Sequence, residues 1–396
     1  MRPSLRLFAP FAIGDSSLTV KSLGAAFPYR WLRDSCQCAS CVHPSTRQKL
    51  HRTTDVSPDV APVPGGVTPL PGGDGVSIEW RQGHRSSFGF DFLERYSAVN
   101  RRQAFHRDLD RIPWDRARLQ HTDAKLYQTY ADLKTESGLL AAISQLWQYG
   151  LLFVTGVPTA ETSDERCEVR ALASRFSEVR ATFYGETWDV KNVQQSKNIA
   201  YTDLDLGLHM DLLYFEHPPR FQILHCLRNR VRGGASYFVD ALHAASTLSR
   251  ADPEGFRTLT ETPVSFHYIN DGHHLHFEHP TIELFPASDR IAHINYSPPF
   301  QAPLPLSTPD AFYPAFRRFA DLLDRPEARF EYLLREGDAV LFDNRRVLHA
   351  RTAFHDPEED AGEVQEDMTN RWLKGCYIEA DAVFDRGRIL RTKLEG

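Results

Sequence analysis

The sequence has few cysteines, no long apolar run and no excess of basic residues, and each scarcity excludes a class of protein. Six cysteines among 396 residues are too few for a disulfide scaffold. No stretch approaches the roughly 18 apolar residues that a transmembrane helix requires. The formal net charge of −6 argues against a nucleic-acid surface and favours a small or zwitterionic ligand. We therefore predict a soluble globular protein with no nucleic-acid or membrane partner.

The first residues, "MRPSLRLFAPFAIGDSS", lack the apolar core and the small-residue cleavage site of a secretory signal. The predicted location is therefore cytoplasmic. Two arginines and an early serine leave import into an organelle as the alternative.

The apolar pattern predicts two domains joined by a linker. Residues 1–100 form a small β-rich domain, with strands at "SLTVKSL" and "VSIEWRQG" and a Pro/Gly-rich surface loop at residues 57–75. Residues 101–124 are strongly charged and are predicted to be a linker or an exposed helix. Residues 125–396 begin with amphipathic helices and continue with many short β-branched and aromatic runs. That order is typical of a jelly roll carrying helices on one side.

"GLHMDLLYF" (residues 207–215) places His209 and Asp211 in an otherwise apolar run. On a strand, side chains at i and i+2 project from the same face, so an imidazole and a carboxylate can meet at one point while Leu212 faces the other way. With a distant histidine they would form the 2-His-1-carboxylate triad, which binds Fe(II) and leaves positions open for substrate and O₂. His349, in "GDAVLFDNRRVLHART", is the predicted third ligand.

Other interpretations of these patterns remain open. His209 could bond Asp211 in a purely structural network. His276 and Glu278, in "DGHHLHFEHP", have the same spacing, although the Gly and Pro of that segment favour a loop or hairpin. The pairs in "HRD" and "HTD" of the charged linker are expected to be solvated side chains.

The sequence resembles the γ-butyrobetaine and trimethyllysine dioxygenase family along nearly its whole length. The matching stretches, in the family's order, are "WLRDSCQCASC", "FYGETWDV", "NIAYTDLDLGLHMDLLYFEHPPRFQILHCL", "GGASYFVDA", "GDAVLFDNRRVLHAR" and "RWLKGCY". The resemblance implies a double-stranded β-helix, iron bound by His209, Asp211 and His349, and a homodimer. It also implies that O₂-dependent decarboxylation of 2-oxoglutarate is coupled to C–H hydroxylation, with ascorbate as a reductant.

By the same resemblance, Arg371, which begins "RWLKGCY", binds the remote carboxylate of 2-oxoglutarate. A guanidinium suits this role because its planar fork bonds both carboxylate oxygens. Arg351, two residues after His349, is the alternative. The acidic segment "HDPEEDAGEVQEDM" lengthens the interval from His349 to Arg371 beyond that expected for the family, and it is predicted to be a surface loop.

The resemblance further implies an aromatic cage for a trimethylammonium group. Its members are Tyr184 and Trp188 in "FYGETW", Tyr201 in "NIAYT" and Tyr377 in "GCY". A quaternary ammonium is charged but has no N–H donor, so aromatic faces bind it better than hydrogen-bond acceptors do. The cage implies a small trimethylammonium compound as the substrate.

Two features bear on which compound is bound. Trimethyllysine dioxygenases have an acidic residue three positions before the cage tyrosine, whereas this chain has Asn198, whose neutral amide suits a carboxylate. The predicted reaction is therefore hydroxylation of γ-butyrobetaine to L-carnitine with release of succinate and CO₂. After Asn295, however, Ser297, Pro298 and Pro299 replace the family's polar pair, and proline donates no hydrogen bond. Trimethyllysine or another amine remains the alternative substrate.

"CQCASC" contains three cysteines within six residues, a spacing that presents three thiolates to one zinc ion. They are Cys36, Cys38 and Cys41. The resemblance implies His84 as the fourth ligand, while His43 and His51 are nearer in sequence and stay open. Four protein ligands leave no open position, so the site is predicted to be structural. A non-catalytic, zinc-stabilised binding protein is the contrasting hypothesis, against which the intact iron ligands, arginine and cage argue.

Overall fold

A computed structural model describes residues 10–121, 124–191, 206–355 and 369–395. The chain divides into two compact units, Met1–Asp108 and Leu109–Gly396. Within the described ranges, no helix is both long enough and apolar enough to cross a membrane.

The described part of the first unit contains two three-stranded antiparallel sheets and three short helices. The elements are β1 (Phe11–Ile13), β2 (Ser17–Val20), β3 (Ala25–Pro28), α1 (Tyr29–Asp34), β4 (Pro62–Pro69), β5 (Gly75–Trp80), β6 (Arg85–Gly89), α2 (Phe90–Tyr96) and α3 (Val99–Phe105). The loop predicted at residues 57–75 is wrong in part, because β4 pairs with β5. Its prolines are tolerated because β4 is an edge strand, whose outward N–H groups need no partner in the sheet.

The second unit alternates helices and strands as far as β10 and is rich in strands beyond it. Its first elements are α4 (Arg116–His121), β7 (Tyr127–Thr129), α5 (Glu136–Tyr149), β8 (Leu151–Thr155), α6 (Glu168–Phe176), β9 (Val179–Arg180), β10 (Trp188–Lys191), β11 (Leu206–His209), β12 (Phe221–Asn229), β13 (Arg232–Gly233) and β14 (Ser236–Asp240). The remainder are α7 (Ala241–Ala251), α8 (Pro253–Glu261), β15 (Pro263–Asn270), β16 (His273–Pro280), β17 (Ile282–Leu284), β18 (Ile291–Ile294), α9 (Phe312–Leu323), β19 (Phe330–Tyr332), β20 (Ala339–Asp343), β21 (Val347–Arg351), β22 (Phe354–His355), β23 (Arg371–Ile378) and α10 (Ala380–Glu395).

Two sheets share one core in this unit. The larger has the order β10-β23-β12-β20-β8-β7, with β9 also on β23, and the smaller has the order β11-β21-β14-β19. Phe153 and Phe342 of the larger sheet pack in one cluster with Phe238 and Val347 of the smaller one. The predicted double-stranded β-helix is confirmed.

The other face of the larger sheet is covered by α5, α6 and α10. Successive residues of a strand point to opposite faces, so Phe221 and Ile223 of β12 pack under these helices while Gln222 and Leu224 face a cavity between the sheets. This alternation places Gln222 and Leu224 in the lining of the cavity.

A buried ion pair lies at one end of the smaller sheet, between the last residue of β14 and the residue before β21. Arg346 bonds Asp240 through Nε and Nη2, at 2.9 and 2.8 Å. Arg346 also donates to the carbonyl oxygens of Gln148 and Ile112, at 2.6 and 2.7 Å. Asp240 accepts a further bond from the Trp114 backbone N–H at 2.9 Å. The ion pair therefore joins the chain around residues 112–114 to the β-helix.

Candidate active site

Two histidines meet across neighbouring strands of the smaller sheet. β11 pairs antiparallel with β21 in a register that sets His209 opposite His349, and their ring centroids are 4.2 Å apart. Nδ1 of His209 donates to the carbonyl oxygen of Gly207 at 2.8 Å. Such a bond fixes the tautomer, so Nε2 of His209 is free to act as a ligand.

Asp211 lies outside the strand, and the strand predicted across residues 207–215 is wrong beyond His209. β11 ends at His209, and Leu212 has a φ of 61°, which a strand does not allow. The side chain of Asn344 holds Asp211 instead. Asn344 Oδ1 accepts from the Asp211 N–H at 2.8 Å, and Asn344 Nδ2 donates to the Asp211 carbonyl at 3.0 Å. Leu212 consequently lines the same cavity as Asp211 rather than facing away.

His209, Asp211 and His349 form a compact set of ligand atoms that all lie within 4.8 Å of one another. His209 Nε2 is 3.5 Å from Asp211 Oδ1, and His349 Nε2 is 3.8 Å from Asp211 Oδ2. Ligands about 2.1 Å from one metal ion are spaced about 3 Å apart when adjacent. The set therefore fits a divalent cation after a small contraction.

The protonation states of this set also suit a cation. Burial opposes ionisation of Asp211, but the hydrogen bond from His209 and the electrostatic interactions with both histidines outweigh it and hold the pKa of Asp211 below its usual value. Burial, and next the neighbouring His209, lower the pKa of His349 to about 3. A carboxylate and a neutral imidazole are the forms that bind metals.

The rival histidine cluster lies elsewhere. His276 and Glu278 belong to β16, which forms a two-stranded hairpin with β15. Nε2 of His276 is within hydrogen-bond distance, 2.9 Å, of the Ser265 hydroxyl. Over the described ranges, ligand atoms converge in groups of three or more only at His209, Asp211 and His349 and at the cysteine cluster.

Two arginines line the same cavity as the histidines. Arg351 and Arg371 are each 5% exposed, and both guanidinium groups lie over the Phe354 ring, at 4.7 and 5.4 Å. Burial, and next the charge of Arg351, lower the pKa of Arg371 to about 10, so Arg371 stays charged at neutral pH. Among the described residues, no carboxylate pairs with Arg371, and its Nε has no acceptor. Two adjacent buried cations favour an anionic ligand.

Gln222 and Ser236 also line the cavity, and the sequence analysis missed both. Gln222 is 2% exposed, and its Oε1 accepts no hydrogen bond within the described part of the chain. A buried amide of this kind requires a partner, so Gln222 is available to a ligand. In the sequence, Gln222 is recognisable as the single polar residue of the apolar run "FQIL".

Three predicted cage residues line this cavity: Tyr184, Trp188 and Tyr377. The centroid of Trp188 is 4.4 Å from that of Tyr377 and 6.2 Å from that of Tyr184. Asn198 and Tyr201 lie outside the described residues. The structure adds Tyr214 and Phe300 as aromatic lining, with ring centroids 5.3 Å apart.

The Ser-Pro-Pro segment contributes an apolar wall. Pro298–Phe300 forms a 3₁₀ turn that brings Pro299 and Phe300 into the cavity lining. Asn295 bonds elsewhere: its Nδ2 donates to the Pro280 carbonyl at 2.8 Å, and its Oδ1 accepts from Arg345 at 3.0 Å. Asn295 is therefore a structural residue in this chain.

The cysteine cluster of the first unit converges on His84. Its Nε2 lies 3.4, 3.7 and 3.6 Å from the sulfur atoms of Cys36, Cys38 and Cys41 respectively. His43 instead accepts a bond from the Thr46 N–H at 3.3 Å, and His51 lies 3.4 Å from Asp34. The structure thus brings His84, and neither nearer histidine, to the three thiols. Three thiols and one imidazole are a donor set that fits tetrahedral zinc.

Comparison with known families identifies the larger unit. The sequence model of the family described as "Taurine catabolism dioxygenase TauD, TfdA family" matches residues 115–377. The chain belongs to the TauD/TfdA dioxygenase family. A second model, "Gamma-butyrobetaine hydroxylase-like, N-terminal", matches residues 19–94, which include the cysteine cluster and His84.

This TauD/TfdA family member is similar to several curated dioxygenases over nearly its whole length. It is 54% identical to Dioxygenase str8 of Strobilurus tenacellus, over 96% of this chain and 89% of that protein. It is 32% identical to gamma-butyrobetaine dioxygenase of Pseudomonas sp. strain AK-1, over 97% of this chain and 95% of that protein. It is 30% identical to mitochondrial trimethyllysine dioxygenase of Gallus gallus, over 92% of this chain and 83% of that protein. The chain is therefore an Fe(II)- and 2-oxoglutarate-dependent dioxygenase, and the predicted enzyme class is confirmed.

Proposed function

We propose that this dioxygenase hydroxylates a small trimethylammonium compound and that γ-butyrobetaine, converted to L-carnitine, is the first substrate to test. One observation carries the proposal: a single cavity is lined by His209, Asp211 and His349, by two buried arginines, and by aromatic faces. These three groups match the needs of iron, a dicarboxylate and a quaternary cation.

His209, Asp211 and His349 would hold the iron. Bound iron and 2-oxoglutarate supply, with O₂, the oxidising power for C–H hydroxylation, and succinate and CO₂ are released. Three protein ligands of this kind would leave coordination positions open for cosubstrate and O₂.

The arginines and the aromatic residues would bind the two organic molecules. Arg371 would meet the remote carboxylate of 2-oxoglutarate, and the charge of Arg351 beside it would add to the attraction. Tyr184, Trp188 and Tyr377 would surround the ammonium group with their ring faces. Leu224 and Leu373, which also line the cavity, would exclude water from the reacting carbon.

A second candidate is a different amine whose other end carries no carboxylate. Pro299 and Phe300 favour it, because they present apolar surface where the family places polar groups. A buried carboxylate without donors would bind poorly, and an apolar group would bind well against this wall. Trimethyllysine, with its amino acid head group, is less well matched to an apolar wall.

The test is release of succinate from 2-oxoglutarate together with hydroxylated product, using γ-butyrobetaine, trimethyllysine and unrelated amines. We expect His209→Ala and Asp211→Ala to abolish both products. His276→Ala is the matched control, because it removes an imidazole from the β15–β16 hairpin and should leave turnover unchanged. Full turnover in the His209 or Asp211 variant would refute the iron assignment, and turnover of an amine without a carboxylate in place of γ-butyrobetaine would favour the second candidate.

We also propose that Cys36, Cys38, Cys41 and His84 bind a structural zinc ion. With no open coordination position, this ion would stabilise the small first unit rather than take part in the reaction. The homodimer implied by the family resemblance stays a prediction, which sedimentation equilibrium of the full chain would test.

A further inference from the structure

We propose that Tyr377 is a positioning residue for the metal ligand Asp211, in addition to its place in the aromatic lining. This inference rests on the proposed function, because it takes iron as the ion held by His209, Asp211 and His349. It assigns to the Tyr377 hydroxyl a role distinct from that of the ring.

The backbone of Asp211 has little freedom. Asn344, itself fully buried, bonds both the N–H and the carbonyl of Asp211 and also donates to the Pro219 carbonyl at 3.1 Å. Such bonds replace the strand ladder that ends at His209. The carboxylate orientation therefore depends on the side-chain torsions of Asp211 alone.

The Tyr377 hydroxyl fixes those torsions. It donates to Asp211 Oδ2 at 3.0 Å, and Tyr377 is only 2% exposed. Oδ1 is left facing His209 Nε2 at 3.5 Å. Oδ2, the oxygen that accepts from the tyrosine, lies 3.8 Å from His349 Nε2, so the tyrosine bond sets how both carboxylate oxygens face the two histidines.

Tyr377 contacts both the aromatic residues proposed to bind the substrate and a proposed metal ligand. The ring of Tyr377 packs against Trp188 with centroids 4.4 Å apart, while its hydroxyl reaches the metal ligand. Loss of a partner that orients a metal ligand commonly lowers metal affinity or activity by about 10- to 100-fold. The strand β23 that carries Tyr377 therefore serves both binding sites.

The test uses Tyr377→Phe, which keeps the ring and removes only the hydroxyl. Anaerobic titration with Fe(II) in the presence of 2-oxoglutarate should show affinity weakened by about 10- to 100-fold. The KM of the ammonium substrate should stay within about twofold of the wild-type value, because the aromatic face is retained. Unchanged melting of the metal-free protein would show that the loss is confined to the metal site.

Tyr214→Phe is the matched control for metal affinity. It removes a hydroxyl from another buried tyrosine of the same cavity, one that hydrogen-bonds Tyr184 and not Asp211. Iron affinity equal in Tyr377→Phe and wild type, or weakened just as much by Tyr214→Phe, would overturn the inference. If the wild-type protein itself binds no Fe(II), the proposed function fails as well, so the two failures are distinguishable.

Discussion

Gly375→Ala tests whether Trp188 forms part of the substrate site. Gly375 lies opposite Trp188 in the β10–β23 pair. A Cβ at position 375 would lie 2.7 to 2.8 Å from three atoms of the Trp188 indole, compared with 3.4 Å or more for an ordinary contact. A glycine inside a strand often marks such a close approach. To restore an ordinary contact, the indole would have to move by about 0.7 Å, the difference between these two distances.

The expected effect is loss of part of one cation–π contact. Such a contact is worth about 0.5 to 2 kcal/mol, which corresponds to a roughly 2- to 30-fold rise in the KM of an ammonium substrate. The affinity for 2-oxoglutarate should not change, because Arg371 is the first residue of β23, four residues before Gly375. The assay is succinate release at varied amine and at varied 2-oxoglutarate concentrations.

Gly207→Ala is the control for this experiment. Gly207 is on β11, two residues before His209, and a Cβ there would meet nothing within 4 Å. Both KM values should therefore match those of the wild type. An unchanged amine KM in Gly375→Ala would contradict the placement of Trp188 at the substrate, and equal changes in both KM values would point to a general disturbance of β23.

Three further predictions concern the cosubstrate, the buried ion pair and the zinc site. Arg371→Lys should raise the cosubstrate KM about 10- to 100-fold, since a charged hydrogen bond contributes about 1.5 to 3 kcal/mol; an unchanged value in the succinate assay at varied 2-oxoglutarate would exclude this role. Arg346→Met should lower the free energy of unfolding in urea by about 3 to 5 kcal/mol, because it leaves Asp240 charged and buried. Arg346→Met combined with Asp240→Asn should recover part of the loss, and no recovery would argue against the ion pair as the cause. Cys38→Ser should reduce zinc content measured by elemental analysis and lower the melting temperature; full zinc content would refute the ligand assignment.

The sequence alone carried the residue types on which the chemistry depends. A His-x-Asp pair, a distant histidine and a cysteine triplet are short patterns, and their spacing is visible without coordinates. Jelly-roll strands are also predictable, because runs of β-branched and aromatic residues between turns reflect local propensity and burial. The jelly-roll class could therefore be predicted from the pattern of strands, whereas the enzyme class was predicted from the resemblance to the γ-butyrobetaine and trimethyllysine dioxygenase family.

Tertiary structure decided how those residues are held. Asp211 was expected on a strand, yet Asn344, from a turn 133 residues away, replaces the strand ladder around it. His84 was one of three histidines allowed by spacing, and the fold brings it to the thiols across 43 to 48 residues. Which residue holds Asp211 and which histidine meets the thiols depend on strand register and on where distant segments of the chain come together. Both are set by packing between those segments rather than by local pattern. For the same reason, the hydroxyl of Tyr377 at Asp211 and the glycine beneath Trp188 became visible only in three dimensions.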